Sequence, residues 1–290
     1  MVAVALGPKP GWEVLDACAA PGNKTVHLAA FMRGNGKIIA CELNKQRVKR
    51  LEDTIRLSGA SNVEVLHEDF LNLNPEDPLY SKVRAILLDP SCSGSGTAAD
   101  RLDHLLPSYA AGHAADFAAI ERVNKLSSFQ KKALAHALSF PAVERVVYST
   151  CSIHQIENED VIKSLLPLAA SYGFQLQTPF PDWPRRGLPV LEGSEHLLRT
   201  DPDEDKEGFF IALFVRKSTV DLLEKPLKAH RDTIEAHSTD EPTKRSKTRD
   251  QKKLVMPCPF TRMSKMWLYY QLNSRKSNIC DCEREHGCKR

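Results

Sequence analysis

The chain has 290 residues, 42% of them hydrophobic, enough apolar material for one sizeable core. No run approaches the roughly 18–20 apolar residues of a membrane span, and residues 1–11 lack the basic start and cleavage pattern of a secretion signal, so membrane and secreted classes are set aside. The net charge of +3 hides an asymmetry: residues 217–290 carry 17 Lys and Arg against 10 Asp and Glu, which leaves residues 1–216 net negative and no obvious phosphate binder on their own.

In chain order, residues 12–17 (WEVLDA) read as a short buried strand and residues 22–33 as a helix. A strand over 37–41 follows, then a helix over 44–58 with Asn44 placed to cap it. Residues 62–66 and 83–88 read as strands, the second so continuously apolar that both its faces must be covered. Residues 97–124 read as a loop-rich insertion. A helix over 129–139, a strand over 145–149, a helix over 156–170 and a strand over 208–216 complete the series. Repeated strand–helix units predict right-handed crossovers and an α/β, Rossmann-like fold with a doubly wound, mostly parallel sheet. Ligands of such sheets lie beyond the carboxyl ends of the strands. The expected division is a catalytic domain over 1–216 and a basic, largely disordered tail over 217–290.

The first strand runs into Asp16-Ala17-Cys18-Ala19-Ala20-Pro21-Gly22-Asn23-Lys24-Thr25. Small side chains there let the backbone approach a ligand, and the following helix offers free N–H groups. The phosphate-binding pattern ending in Gly-Lys fails because Asn23 separates Gly22 from Lys24, and GxGxxG fails as well. Glu42, after the second strand, is placed for ribose hydroxyls, and Asp69, after the third, for an adenine amine. An adenosine cofactor without phosphates, S-adenosyl-L-methionine, suits this set. The plainer alternative is a generic α/β domain with surface acids.

Of eight cysteines, Cys18, Cys41, Cys92 and Cys151 lie in or beside apolar stretches, which is not the spacing of a disulfide framework. Reduced thiols in a cytosolic or nuclear compartment are expected. The fourth strand ends in Asp89-Pro90-Ser91-Cys92 and the fifth in Ser149-Thr150-Cys151, so two thiols and a carboxylate converge on the ligand side. A buried Cys alone is most often a small hydrophobe, and Cys18 and Cys41 keep that reading. A thiolate adding at C6 of cytosine turns the unreactive C5 into an enamine-like carbon able to take a methyl group. Asp89 can then bind the base edge. The helix after Cys151 favours its thiolate, while Glu157, Glu159 and Asp160 oppose it.

Residues 16–25 (DACAAPGNKT), 89–96 (DPSCSGSG) and 148–161 (YSTCSIHQIENEDV) together resemble the Sun family of RNA 5-methylcytosine methyltransferases, most of all its eukaryotic large-subunit ribosomal branch. The resemblance covers about residues 1–216. It implies that Cys18, Ala19, Ala20, Pro21, Gly22, Asn23, Lys24, Glu42, Arg47, Asp69 and Asp89 line the S-adenosyl-L-methionine site. It also implies that Cys151 is the nucleophile, Cys92 the release thiol and Asp89 a catalytic carboxylate; the residues alone leave open which thiol attacks. The implied partner is RNA, with ribosomal RNA the expected substrate, and the implied place is the nucleus and its nucleolus; no membrane partner is expected, and a monomer is. Members of that family carry an N-terminal RNA-binding region and a helix before the first strand, so an N-terminally truncated form is expected here. A truncated chain that serves as an RNA-binding or ribosome-assembly factor without turnover is the alternative, and a DNA cytosine methyltransferase is a weaker one.

The basic run over residues 244–253 is either a nuclear address or RNA-contacting arm, or a solvated linker. Cys280, Cys282, His286 and Cys288 are zinc-ligand types at an unusual spacing, so an incidental cluster is expected and no metal. Trp183 is expected to pack rather than to stack on a base.

Overall fold

The computed structural model describes residues 1–100 and 113–217. The strands are β1 (Glu13–Asp16), β2 (Lys37–Cys41), β3 (Val63–Leu66), β4 (Val83–Leu88), β5 (Arg145–Thr150), β6 (Phe174–Gln177), β7 (Leu198–Thr200) and β8 (Phe209–Arg216). The helices are α1 (Val2–Leu6), α2 (Asn23–Phe31), α3 (Lys45–Ser58), α4 (His113–Leu138), α5 (Glu159–Ser171) and α6 (Pro202–Asp205). The sheet order is β3-β2-β1-β4-β5-β8-β6, with β7 also paired to β8. Strands β1 to β5 pair in parallel, whereas β8 runs antiparallel to β5, β6 and β7.

Side-chain alternation along the strands builds a core on each face of the sheet. Leu15, Ile39, Ile86, Leu88 and Tyr148 point to one face, under α4 and α5, where Phe140, Val161 and Ile162 meet them. Val14, Ile38, Ala85, Leu87 and Val147 point to the other, where Leu6, Leu28 and Met32 of α1 and α2 cover them. All these residues are buried. Two covered faces explain why β4 carries five buried residues in six, the apolar run that its sequence shows.

The α/β, doubly wound and mostly parallel architecture is as expected. Asn44 caps α3: its side chain accepts hydrogen bonds from the N–H groups of Gln46 and Arg47. Three expectations are corrected, and two strands were missed. Residues 113–124 are not loop but the first turns of α4, in keeping with an alanine-rich segment of high helix propensity. The helix expected over 156–170 is split into a 3-10 turn, Gln155–Glu157, and α5, with Asn158 at φ −114° and ψ −98° between them. A helix does precede the first strand: α1 buries Val2, Ala3, Ala5 and Leu6 and ends on the left-handed Gly7. The short strands β6 and β7 were absent from the sequence reading, although β6 (FQLQ) does alternate apolar and polar residues. Among the described residues no helix is long and apolar enough to cross a membrane. The expected tail over 217–290 lies outside the described residues apart from Lys217, and with it the run over 244–253 and Cys280, Cys282, His286 and Cys288.

Candidate active site

The strand order reverses between β1 and β4, and their carboxyl ends open the crevice in which doubly wound sheets bind ligands. The loop after β1 forms its floor. Gly22 begins α2 at φ 105°, in the left-handed region, and a Cβ there would press on Thr54 and Leu51 at 3.0–3.1 Å. Glu42, 4% exposed, fastens this loop: it accepts from the N–H groups of Ala20 (3.3 Å) and Asn44 (2.9 Å). Arg47 pairs with Glu42 at 3.3 Å and donates to the Ala20 carbonyl at 2.7 Å. Asp69 accepts from the Leu71 N–H and caps a 3-10 turn after β3.

Asp16 ends β1 fully buried, with Oδ2 accepting from the Thr25 hydroxyl at 2.7 Å and Oδ1 without a well-formed hydrogen bond among the described residues, the Cys18 N–H being the nearby backbone donor. Burial first, then the charge of Asp89, lifts its carboxyl to about 7 against the Thr25 hydrogen bond, which pulls it down. Thus the crevice holds a small-residue cradle, the free N–H groups of a helix start, two acids after β2 and β3, and a buried oxygen without a well-formed hydrogen bond. That donor and acceptor set fits an adenosine cofactor bearing an amino-acid moiety.

The register of β4 and β5 builds the reaction centre. Leu88 pairs with Tyr148, so Asp89 leaves β4 beside Ser149, which is still within β5, and the Ser149 hydroxyl donates to Asp89 Oδ1 at 2.6 Å. Lys24 Nζ, from the first turn of α2, lies 2.5 Å from Asp89 Oδ2 and 5.7 Å from the Phe209 ring centroid. Burial alone would lower the Lys24 amine, but Asp89 beside it raises it, which keeps it charged. Cys92 and Cys151 lie with their Sγ atoms 3.2 Å apart, both half-buried. The hydrogen bond from Cys92 brings the Cys151 thiol down to about 7, against burial and Asp89 and with help from Lys24. The same contact, then burial, pushes Cys92 upward.

The expected opposition to a Cys151 thiolate came from Glu157, Glu159 and Asp160, and the expected help from the following helix. Neither holds as stated. Glu157 and Glu159 are buried with their carboxylates taken up by hydrogen bonds, Glu157 from Ser93, Ser152 and Gln130 and Glu159 from Arg199 through two contacts of 2.6 Å, and Asp160 accepts from Gln155 Nε2 at 2.9 Å. The helix α5 starts only at Glu159, beyond a 3-10 turn, and a helix terminus acts within about one turn. Burial and Asp89 are what oppose ionisation. Cys41 is fully buried, with Sγ donating to the Glu68 carbonyl at 3.2 Å, and burial sends its thiol to about 12. Burial and the charge of Asp16 push Cys18 well up. Neither is a ready nucleophile. Trp183 packs on the core and donates Nε1–H to the Arg199 carbonyl at 2.9 Å.

Several residues around the site were given no role by the sequence reading, although Thr25, Ser93, Gly96, Ser149 and Ser152 lie within its three motif blocks. The Gly96 N–H donates to the Cys151 carbonyl and the Gly208 N–H donates to the Gly96 carbonyl, each at 2.9 Å, so the start of β8 braces the Cys151 loop. A Cβ on Gly96 would stand 2.0 Å from the Gly208 carbonyl oxygen, so only glycine fits. Thr25, Ser149, Ser93, Ser152 and Gln130 serve as hydrogen-bond donors around the centre.

Comparison with known proteins gives consistent results. The sequence profile described as 16S rRNA methyltransferase RsmB/F matches residues 3–215. The chain is 73% identical over 221 residues to the 25S rRNA (cytosine-C(5))-methyltransferase NSUN5 of Arabidopsis thaliana, covering 76% of this chain and 39% of that protein. It is 44% identical over 219 residues to the 28S rRNA (cytosine-C(5))-methyltransferase of Mus musculus, covering 75% of this chain and 45% of that protein. Among solved structures, NSun6 from Pyrococcus horikoshii with SFG matches at TM-score 0.57 and 26% identity, over 75% of this chain and 51% of that one. A methyltransferase homologue from the same organism matches at TM-score 0.55 and 30% identity, over 74% and 65%. The chain thus spans less than half the length of these two curated relatives.

Proposed function

The chain belongs to the RsmB/F family of ribosomal RNA methyltransferases, and on that premise we propose that it methylates C5 of a cytosine in large-subunit ribosomal RNA. The higher identity to relatives named for 25S and 28S rRNA, 73% and 44%, than to the small-subunit methyltransferase F of Shewanella sediminis, 34%, favours the large subunit. The observation that carries the chemistry is the 3.2 Å contact of Cys92 and Cys151, set beside the Lys24–Asp89 pair at the ends of adjacent parallel strands.

Cys18, Ala19, Ala20, Pro21, Gly22, Asn23 and Lys24, with Glu42, Arg47, Asp69 and Asp89, hold S-adenosyl-L-methionine in this reading. When bound, that cofactor supplies an electrophilic methyl carbon on a sulfonium. Cys151, favoured as thiolate by the Cys92 hydrogen bond and by Lys24, adds to C6 of the cytosine, and the ring electrons make C5 nucleophilic. Asp89 retains acceptor capacity on both oxygens beyond Ser149 and Lys24, which suits the cytosine amino group. With Cys92 assisting, the C5 proton is lost to water, and its electron pair re-forms the C5–C6 double bond as the C6–Sγ bond to Cys151 breaks and releases the base. A cytosine in structured RNA must first be unstacked and turned into the crevice. We assign the catalytic domain to residues 1–216, the acting form to a monomer, since one chain assembles both thiols and the cofactor loop, and the place of action to the nucleolus, where large-subunit RNA is made.

The test is methyl transfer from radiolabelled S-adenosyl-L-methionine to unmodified large-subunit RNA and to DNA of the same sequence. We expect label at cytosine C5 of RNA only, its loss in Cys151→Ala, and a denaturant-resistant protein–RNA adduct in Cys92→Ala. Cofactor binding without transfer to either nucleic acid would overturn the assignment.

A further inference from the structure

One buried acid near the two thiols is unused by this mechanism. Glu157 is 0% exposed, and its partners are all neutral donors. Oε1 accepts from the Ser93 N–H at 2.9 Å and from Gln130 Nε2 at 3.0 Å. Oε2 accepts from the hydroxyls of Ser93 and Ser152, each at 2.6 Å. Four donors converge on one carboxylate, so it acts as an acceptor throughout. Burying an acid without a counter-cation is costly unless its hydrogen bonds are made. Such an acid stays where it is only because its surroundings hold it there.

The donors come from the two segments that carry the thiols. Ser93 follows Cys92 directly, and Ser152 follows Cys151 directly. Gln130 also donates to the Ser91 carbonyl at 3.0 Å, so α4 grips the Cys92 loop on its other side. The Glu157 carbonyl accepts from the buried Tyr148 hydroxyl at 2.6 Å, which ties the 3-10 turn back to β5. We infer that Glu157 is a positioning residue that clasps the Cys92 loop to the Cys151 loop and so holds the two sulfurs in contact. It touches neither sulfur. The inference rests on the proposed reaction only for its catalytic consequence; the clasp itself concerns the thiol pair.

The titratable and charged groups facing Cys151 are Cys92 and Asp89 from the end of β4 and Lys24 from α2. Loosening the clasp leaves Asp89 and Lys24 in place and weakens the Cys92 contact alone. The readout is the pH dependence of Cys151 alkylation by iodoacetamide, followed by mass spectrometry on the full chain, which requires no methyl transfer. The wild type should show a midpoint of about 7. In Glu157→Gln, whose amide has one accepting oxygen in place of two and so cannot take all four donors, we expect the midpoint to rise by about one unit. The kcat for RNA methylation should fall about tenfold or more with KM for S-adenosyl-L-methionine unchanged. Ser152→Ala, which removes one hydroxyl and keeps the carboxylate, should shift the midpoint in the same direction by less. It serves if Glu157→Gln does not fold. A core variant remote from the clasp, Phe140→Leu, should lower Tm without moving the midpoint.

A midpoint that stays put in both Glu157→Gln and Ser152→Ala would overturn the inference, whatever happens to Tm. A wild type that transfers no methyl group but shows the shift in its variants would overturn the proposed function and leave the clasp standing.

Discussion

Asp16 shows how one position carries several demands. Its carboxyl must end β1, anchor Thr25 and face the crevice, and burial raises it to about 7. An acid whose folded value lies above its unfolded value of 3.8 binds more protons when folded. Its contribution to stability is fully present below about pH 4 and is lost as pH rises through 7. We expect urea unfolding without cofactor to show stability falling between pH 5 and 8, by a total on the order of 3 kcal/mol from this residue. Asp16→Asn should flatten that slope; an unchanged slope would mean that Asp16 is ionised throughout. The same scale explains why the block of residues 148–161 could be read only in part. Cys151 stood out by its residue type, but Glu157 was read with Glu159 and Asp160 as one group of acids near the start of a helix, opposing the Cys151 thiolate. The 3-10 turn Gln155–Glu157 aims one of these acids inward, and no periodicity announces such a turn.

At the scale of elements, a short strand missing from the sequence reading holds the site together. Arg199 of β7 makes a two-pronged contact with Glu159 at the start of α5 and donates to the Ile153 carbonyl at 3.1 Å. Glu159 is 0% exposed, so removing its partner strands a buried charge. Arg199→Met should destabilise the fold by about 3–5 kcal/mol in urea unfolding at pH 7, and adding Glu159→Gln should recover part of that. A loss below about 1 kcal/mol would show that water reaches Glu159. The strand is three residues long, too short for any alternation to reveal it, and it pairs with β8 and through a single bridge with Arg186. The long helix α4 was half legible for a related reason: its second half packs on the core with a clear apolar spacing, through Ala133, Leu134, Ala137 and Leu138, whereas residues 113–124 carry mainly propensity.

The whole molecule divides its charge as it divides its sequence. Residues 217–290 contribute 17 Lys and Arg against 10 Asp and Glu, while the crevice belongs to a net-negative remainder. Phosphate contacts release counterions, and the slope of log affinity against log salt counts them. We expect the full chain to bind large-subunit RNA with a slope steeper, by about two contacts or more, than a chain ending at residue 217. Equal slopes would show that the basic segment meets no phosphates and that the affinity has another source.

The sequence by itself determined the family, the α/β class and the parallel strands β1 to β5, and it singled out the small-residue loop after β1 and both thiols. These are local properties: apolar runs, small residues after a strand and cysteines at strand ends keep their meaning wherever the chain goes. Only the tertiary structure decided that Cys92 and Cys151 touch, that Lys24 pairs with Asp89, and that Gly96 and Gly208 brace the Cys151 loop. It also decided which acids oppose the thiolate. The reason is that register and burial join residues 55 to 112 positions apart here, and hydrogen bonding between such residues is set by the packing of the sheet and its helices rather than by any spacing along the chain.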